Sequence, residues 1–446
     1  MNSYDSDFLA QSLINDGFIP ADTPEQADVI LINTCAVRAK PEQKAYSLLG
    51  RMSAIKAAKP DTFLGVVGCL AQMKGSDLFK RFPHLDLVMG PRELGRFPEI
   101  LREIRRQSGR IAVTGLGPAP PLHTPSRGYF HNQVTGYVSV MEGCNNFCSY
   151  CIVPYVRGRE ISRPPYEIMG EAKDLISQGI KEITLLGQNV NSYLWKGDPH
   201  RRIGFSDLLH EVSRLDGLLR LRFVTSHPKD LSDDLIACFK NLNNLCPHIH
   251  LPFQAGANRI LKRMRRGYTR EEYITLVQKL RAVKPEIAIT SDVMVGFPGE
   301  TEGDFEQTLD LIQGVRFDSL FSFKYSDRSG TAADKMDNKI DDTTKTTRLA
   351  ALQAIQKGIT LEKNKALEGK HVEVLVEGIS RRGEQLSGRT GSHKIVNFIK
   401  YKGRIGNLVK VRIKRSFLNS LWGEAIASGL TDDQKISGSD QANSSS

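Results

Sequence analysis

The chain has no run of about 18 apolar residues, the length a helix needs to cross a bilayer, so no membrane partner is expected. Its start, Met1-Asn2-Ser3-Tyr4-Asp5, lacks the basic and apolar regions of a secretory signal. Cysteine is scarce and odd in number, seven in 446 residues, which argues against a disulfide-stapled secreted scaffold and makes a reducing cytoplasm the expected compartment. Acidic charge is in deficit as well. Against 61 Lys and Arg stand 50 Asp and Glu, a net +11 that points to a polyanionic partner. What remains is ordinary globular composition, 40% hydrophobic and 25% charged, in a chain long enough for about three domains.

Helical and short apolar patterns alternate over residues 1–115, which predicts an open parallel α/β sheet as the N-terminal domain. Val29-Ile30-Leu31-Ile32-Asn33 and Phe63-Leu64-Gly65-Val66-Val67-Gly68 read as strands, with Cys35 and Cys69 just past their carboxyl ends, where such sheets place ligands. The chain opens on a helix, whereas an alternating sheet normally begins with a strand. A proline-rich linker over 115–127 ends this domain. Residues 130–366 then predict six βα units, with strands at 136–141, 182–186, 219–225, 248–252, 287–295 and 318–325, hence a partial (β/α)6 barrel with reactive groups at the carboxyl ends of its strands. Residues 367–428 change to short alternating strands with glycine turns, a small antiparallel β-barrel; a polar tail, 429–446, is expected to be disordered. Between 370 and 424 twelve Lys and Arg face four Glu. Arg381, Arg382, Arg389, Lys394, Lys400, Lys402, Arg404, Lys410, Arg412, Lys414 and Arg415 lie among Phe398, Tyr401, Phe417 and Trp422, a mix suited to RNA phosphate contact with base stacking. A merely solvated basic face is the alternative.

Three of the few cysteines crowd into eight residues, Cys144-Asn145-Asn146-Phe147-Cys148-Ser149-Tyr150-Cys151, and no fourth follows nearby. Zinc sites normally show four ligands in separated pairs, so buried hydrophobes or a partial zinc site are the weaker readings. Iron–sulfur clusters are usually held by four cysteines; three thiolates leave one iron free for a ligand that is not protein. The loop leaves the end of the first barrel strand, where the strand-end rule puts chemistry.

This spacing is similar to the radical S-adenosylmethionine (SAM) signature, and the run from Tyr137 through Arg157-Gly158-Arg159 to Arg163-Pro164 resembles the radical-SAM methylthiotransferases. Leu185-Leu186-Gly187-Gln188-Asn189-Val190-Asn191-Ser192-Tyr193 resembles the branch acting on isopentenylated tRNA. So do His250-Leu251-Pro252-Phe253-Gln254, Arg266-Gly267-Tyr268-Thr269 and Gly296-Phe297-Pro298-Gly299-Glu300-Thr301. The C-terminal module is similar to the TRAM RNA-binding domain. The resemblance implies an enzyme that replaces the C2 hydrogen of N6-dimethylallyladenosine, at position 37 beside the anticodon of tRNA, with a methylthio group. It implies a [4Fe-4S] cluster on Cys144, Cys148 and Cys151, SAM at its open iron, and an external reducing electron donor. Gly187, Gln188, Asn189 and Gln254, at strand ends, become candidate SAM contacts, with Gly187 alternatively a tight-turn residue.

A second [4Fe-4S] cluster is implied on Cys35 and Cys69. The family supplies three cysteines there, the first in a Gly-Cys-Gln-Met-Asn turn after an initial strand. Met1-Asn2 resembles the end of that turn, so a truncated sequence or misplaced start is expected to account for both the absent strand and the absent cysteine. Methylthiotransferases acting on threonylcarbamoyladenosine or on a ribosomal-protein aspartate are rival readings, and an iron–sulfur RNA-binding protein without catalysis is a third. Arg157, Arg159 and Arg163 are candidates for phosphate or SAM carboxylate, against plain surface charge. Lys262, Arg263, Arg265 and Arg266 read as a basic helical run, either RNA-facing or solvated. His248 and His250 are expected to pack with hydrogen bonds, and Cys238 and Cys246 to be buried and structural. Nothing demands a multimer, and a monomer is expected.

Overall fold

A computed structural model describes residues 1–34, 39–107, 109–117, 133–198, 201–380, 383, 385–399 and 404–426. The chain divides into two units, Met1–Gln356 and Lys357–Ser446. Helix Asn2–Asn15 opens the first. A parallel sheet follows, β1 (Val29–Thr34), β2 (Phe63–Gly68), β3 (Leu87–Met89) and β4 (Ile111–Val113), side by side in that order. Every residue of β2 is buried, as a continuous apolar run covered on both faces requires. Phe63 and Val67 pack with Phe8, Leu9 and Phe97. Leu64 and Val66 pack with Leu49 and Met52 on helix Ala39–Ala58. The period of two in β2 thus splits the core into two layers.

Gly68 ends that strand at φ +90°, where a Cβ would sit 2.5 Å from Asn33 Oδ1 and 2.8 Å from the Thr34 carbonyl oxygen. Its missing side chain lets the backbone turn at once into helix Cys69–Lys74. Cys69 therefore stands where the strand-end rule predicts; Cys35 and most of the predicted linker lie outside the described residues.

The six predicted barrel strands are present. In chain order come β5 (Thr135–Ser139), a short antiparallel pair β6 (Met141–Glu142) and β7 (Ile161–Ser162), and β8 (Glu182–Leu186). A hairpin, β9 (Leu194–Asp198) and β10 (Arg201–Gly204), precedes β11 (Arg220–Phe223), β12 (His248–His250), β13 (Ala288–Val295) and β14 (Ser319–Lys324). They form two parallel three-stranded halves, ordered β11-β8-β5 and β12-β13-β14. Leu221 N donates to Asn244 O (2.8 Å) and Cys246 N to Leu221 O (2.8 Å), so backbone bonds carry the curvature from β11 into the segment before β12. The helices between the strands start on strong caps: Thr269 with Glu272 and Thr301 with Asp304 each form a reciprocal capping box. Among the described residues no helix is long and apolar enough to cross a membrane.

Past helix Asp342–Lys365, the second unit is a closed barrel of β15 (His371–Ile379), β16 (Gln385–Thr390), β17 (Ile395–Ile399), β18 (Leu408–Ser416) and β19 (Leu421–Ala425). Strands run β15-β16-β17-β19-β18 around it, antiparallel except for β17 beside β19. Phe398 fills its core with Val374, Val376, Val396, Val411 and Ile413, so it is not a stacking residue as the sequence suggested. Phe417 is 52% exposed and Trp422 half-buried. Lys410, Arg412 and Lys414 alternate outward on β18, and a register shift between Ile413 and Arg415 turns Arg415 outward too. Arg381, Arg382, Lys400, Tyr401, Lys402 and the tail from 427 lie outside the described residues.

Candidate active site

The three-cysteine loop is clamped at its base and pinned at its tip. The β6–β7 pair closes the base, where Gly143 (φ +79°) brings the entering strand so near Arg159 that a Cβ would lie 2.1 Å from its carbonyl oxygen. Cys144 N donates to Gly158 O (3.2 Å). At the tip, Ser149 N donates to Met264 O (3.0 Å), Ser149 Oγ to Arg263 O (2.9 Å), and Ala333 N to Ser149 O (2.7 Å). Phe147, between the first two cysteines, holds φ at +46°, a conformation costly for any residue but glycine and stored where surrounding contacts enforce it.

Cys148 is buried and Cys144 and Cys151 are partly exposed. Burial pushes the Cys151 thiol up to about 12, with the charges of Cys148 and Cys144 adding to it; burial raises Cys144 too. As free thiols Cys144 and Cys151 thus resist ionisation until a cation takes the proton's place. Among the described residues no three His, Cys, Asp or Glu side chains converge at metal-holding distance.

Two arginines, one read from sequence as a candidate for phosphate or SAM carboxylate and the other as part of an RNA-facing or solvated basic run, are buried against cysteine sulfurs. Arg266 Nη1 donates to Cys148 Sγ (3.3 Å), Nη2 to Pro252 O (2.8 Å) and Nε to Tyr268 Oη (3.1 Å). It leaves the predicted basic run and turns inward. Arg157 Nε donates to Cys69 Sγ (3.3 Å) and Nη1 to Glu142 Oε1 (3.0 Å), while Nη2 pairs with Asp5. Cys69 also packs on Ile152 and Val156, just past Cys151. The N-terminal sheet and the three-cysteine loop therefore share one wall. Arg163 is bound to Glu171 (2.7 Å) rather than facing solvent, and only Arg159 stays exposed.

Of the predicted strand-end residues, Gly187 presses on Met141, whose Cγ would be 2.5 Å from an added Cβ, so close packing is one reason for that glycine. Gln188 Oε1 accepts from Gly143 N (2.5 Å) and ties the second strand end to the loop. Asn189 Nδ2 donates to Asp230 (2.7 Å), leaving its buried Oδ1 without a partner among the described residues. Gln254 adopts φ +67° and bridges to Val293. Thr225, two residues past the third strand, holds φ +71°, strained for a β-branched residue.

Sequence reasoning missed three residues here. Ser226 Oγ, His227 Nε2 and Asp292 Oδ1 are buried and, among the described residues, unpartnered. The run Thr225-Ser226-His227-Pro228 just past β11 was the available signal, since it obeys the same strand-end rule. Buried polar atoms are almost always satisfied, so orphans on these barrel strands and the segments just past them are candidates to meet a polar ligand. Burial, then the charges of Arg266 and Lys229, push His227 down to about 2, so it is a neutral ring; Nδ1 accepts from Lys229 N (3.2 Å), which leaves the proton on Nε2. His248 Nε2 and His250 Nδ1 both meet Thr290 Oγ1 at 3.1 Å, and Cys238 and Cys246 are buried, as expected of packing residues. Thiols on one pinned loop, a cation beside the buried one and orphaned polar atoms on the barrel fit a thiolate-held cluster with a polar small molecule next to it.

A parallel half-barrel with a three-cysteine loop after its first strand defines a radical-SAM protein. Residues 138–312 match the radical SAM superfamily, residues 1–90 a family described as Uncharacterized protein family UPF0004, and residues 365–426 the TRAM domain. Among solved structures, a radical S-adenosylmethionine methyltransferase, TsrM, from Kitasatospora setae, with cobalamin and a [4Fe-4S] cluster bound, is 17% identical at a TM-score of 0.55, covering 75% of this chain and 74% of that one; this likeness is one of fold. The tRNA-2-methylthio-N(6)-dimethylallyladenosine synthase of Syntrophus aciditrophicus is 49% identical over 96% of this chain and 92% of its own length. That of Geobacter metallireducens is 50% identical over 95% and 96%. The chain belongs to the tRNA-2-methylthio-N(6)-dimethylallyladenosine synthase family of radical-SAM methylthiotransferases.

Proposed function

We propose that the protein attaches a methylthio group to C2 of N6-dimethylallyladenosine at position 37 of tRNA. The observation that carries this reading is the near-full-length identity to relatives that bear that activity in their names. Cys144, Cys148 and Cys151 hold a [4Fe-4S] cluster. That cluster, with SAM bound, supplies a radical able to remove a hydrogen too strongly bonded for any side-chain base.

The protein's part is to hold and orient. Gln188 fixes the cysteine loop to the barrel. Asn189, Ser226, His227 and Asp292 offer two amide or carboxylate acceptors, a hydroxyl and an N–H to the amino, carboxylate and ribose groups of SAM; Gly187 and Gln254 shape the same rim. Cys69, which packs on helix Val153–Arg157, supplies with Cys35 thiolates to a second cluster. The exposed Lys410, Arg412, Lys414, Arg415 and Phe417 of the C-terminal barrel engage the anticodon arm. The target base leaves its stack to reach the pocket, a step easiest in a single-stranded loop. The protein acts in the cytoplasm as a monomer and draws electrons from an external reductant.

Mass spectrometry of tRNA nucleosides from a deletion strain tests this. Loss of 2-methylthio-N6-dimethylallyladenosine with its unthiolated precursor accumulating is expected. Unchanged amounts, with loss instead of methylthiolated threonylcarbamoyladenosine, would transfer the protein to a rival substrate.

A further inference from the structure

Arg266 is a buried cation without a carboxylate partner among the described residues. Other buried arginines have one: Arg157 pairs with Asp5 and Glu142, Arg222 with Glu182 (3.1 Å), Arg348 with Glu300 (3.0 Å), and Arg92 lies 3.9 Å from Glu142. Arg266 is 4% exposed. Its bonded partners among the described residues are the Pro252 carbonyl, the hydroxyls of Tyr268 and Tyr150, and Cys148 Sγ. Burying a charge against neutral partners alone is expensive, so the position calls for an anion. Backbone geometry delivers it there. Arg265 at φ +58° and Gly267 at φ +71° flank it, a double left-handed turn that sends this side chain inward at the end of helix Asn258–Arg263. Pro252 O and Tyr268 Oη then orient the guanidinium so that the remaining N–H meets sulfur.

Building on the proposed function, we infer that Arg266 is a positioning residue for the radical cluster: it supplies the counter-charge and N–H···S bond that hold Cys148 in liganding position and raise the cluster's reduction potential. Hydrogen bonds to sulfur and nearby positive charge both stabilise the reduced, more negative cluster. An external one-electron donor then reduces it more readily. Lysine would keep the charge but not the fork that spans carbonyl, hydroxyl and sulfur at once.

The test is an EPR-monitored redox titration of anaerobically reconstituted full-length protein, wild type, Arg266→Gln and Arg266→Lys, with iron quantified. The signal followed is the one that responds to SAM, which identifies the cluster on Cys144, Cys148 and Cys151. Arg266→Gln at full iron content is expected to make reduction at least tenfold less favourable, about 59 mV more negative for one electron, and Arg266→Lys to recover part of the loss. A midpoint unchanged or more positive overturns the inference. Should the Gln variant lose iron or fold, wild-type protein grown on guanidino-15N arginine decides. A 15N coupling on the SAM-responsive signal supports the contact, and its absence overturns it. A wild-type protein with no SAM-responsive signal sinks the functional reading itself, and this inference with it.

Discussion

Arg157 Nε lies 3.3 Å from Cys69 Sγ across 88 residues of sequence. Arg157 sits six residues past Cys151, and its other nitrogens are taken by Glu142 and Asp5. One guanidinium therefore ties the opening helix, the first barrel strand's extension and the Cys69 turn together. The distance between the two cysteine-bearing segments is set by a buried ion triad and by the Cys69–Ile152–Val156 contact, not by a loop.

Removing that guanidinium strands two carboxylates. Arg157→Ala is expected to cost about 3–5 kcal/mol, the usual penalty for breaking a buried pair, read as a lower denaturation midpoint by circular dichroism. A loss under about 1 kcal/mol, the scale of a surface ion pair, would mean that water reaches the triad.

The clamp at the loop base gives a second expectation. Gly143→Ala puts a methyl where the Arg159 carbonyl lies and asks a non-glycine residue to hold φ +79°. A cost of about 1–3 kcal/mol is expected from the backbone alone, with iron retained after reconstitution falling well below wild type. Equal iron content and midpoint would show that the β6–β7 base tolerates displacement.

His227 gives the fold an acid sensitivity. It faces Arg266 and Lys229, which with burial hold the folded-state value near 2 against an ordinary 6.5. Between those limits the unfolded chain binds the extra proton, so stability is fully present above pH 6.5 and is lost as pH falls, by up to about 1.4 kcal/mol per pH unit. His227→Asn keeps an acceptor for Lys229 N and removes the titration. Its stability is expected to fall less steeply than wild type between pH 6.5 and 4.5 in paired denaturation series, and parallel slopes would refute this.

In the C-terminal barrel two phenylalanines are expected to behave oppositely. Phe398→Ala empties the core and should cost about 3–5 kcal/mol of stability. Phe417→Ala should leave stability within about 0.5 kcal/mol but weaken binding of an anticodon stem-loop RNA by about 1–3 kcal/mol through lost stacking. Replacing Arg412 and Arg415 by Gln should lower the salt dependence of that binding by about one per phosphate contact. Chemical denaturation reads the two phenylalanine variants and fluorescence anisotropy across a salt series reads RNA binding by the Phe417 and arginine variants; an unmoved slope in the arginine variant would place the RNA elsewhere.

Much of this architecture was legible because its elements obey local rules. β2 is an unbroken apolar run, as a parallel strand covered on both faces must be, and helices Arg270–Val283 and Glu302–Val315 announce themselves by Thr-x-x-Glu and Thr-x-x-Asp caps. The cysteine loop was legible by count and spacing. What escaped depends on distant partners. Nothing local shows that Arg157 and Arg266 turn inward; their partners Asp5, Cys69, Cys148 and Pro252 arrive from elsewhere in the chain. The β6–β7 pair, two residues a side, carries no periodicity to detect. Phe398 and Phe417 differ by facing inward or outward across a barrel whose closure, through a parallel β17–β19 contact, composition does not reveal. Ser226 and His227 were within reach of the strand-end rule, Asp292 inside β13 was not, and all three are identified by their unmet hydrogen bonds.

The central claim is that three thiolates leave one iron of a cubane for SAM. The most direct measurement is EPR of the reduced, anaerobically reconstituted protein before and after SAM is added, with 5′-deoxyadenosine assayed in the same tube. A shifted signal and formation of the nucleoside are expected. An unperturbed signal and no nucleoside, at full iron occupancy, would contradict it.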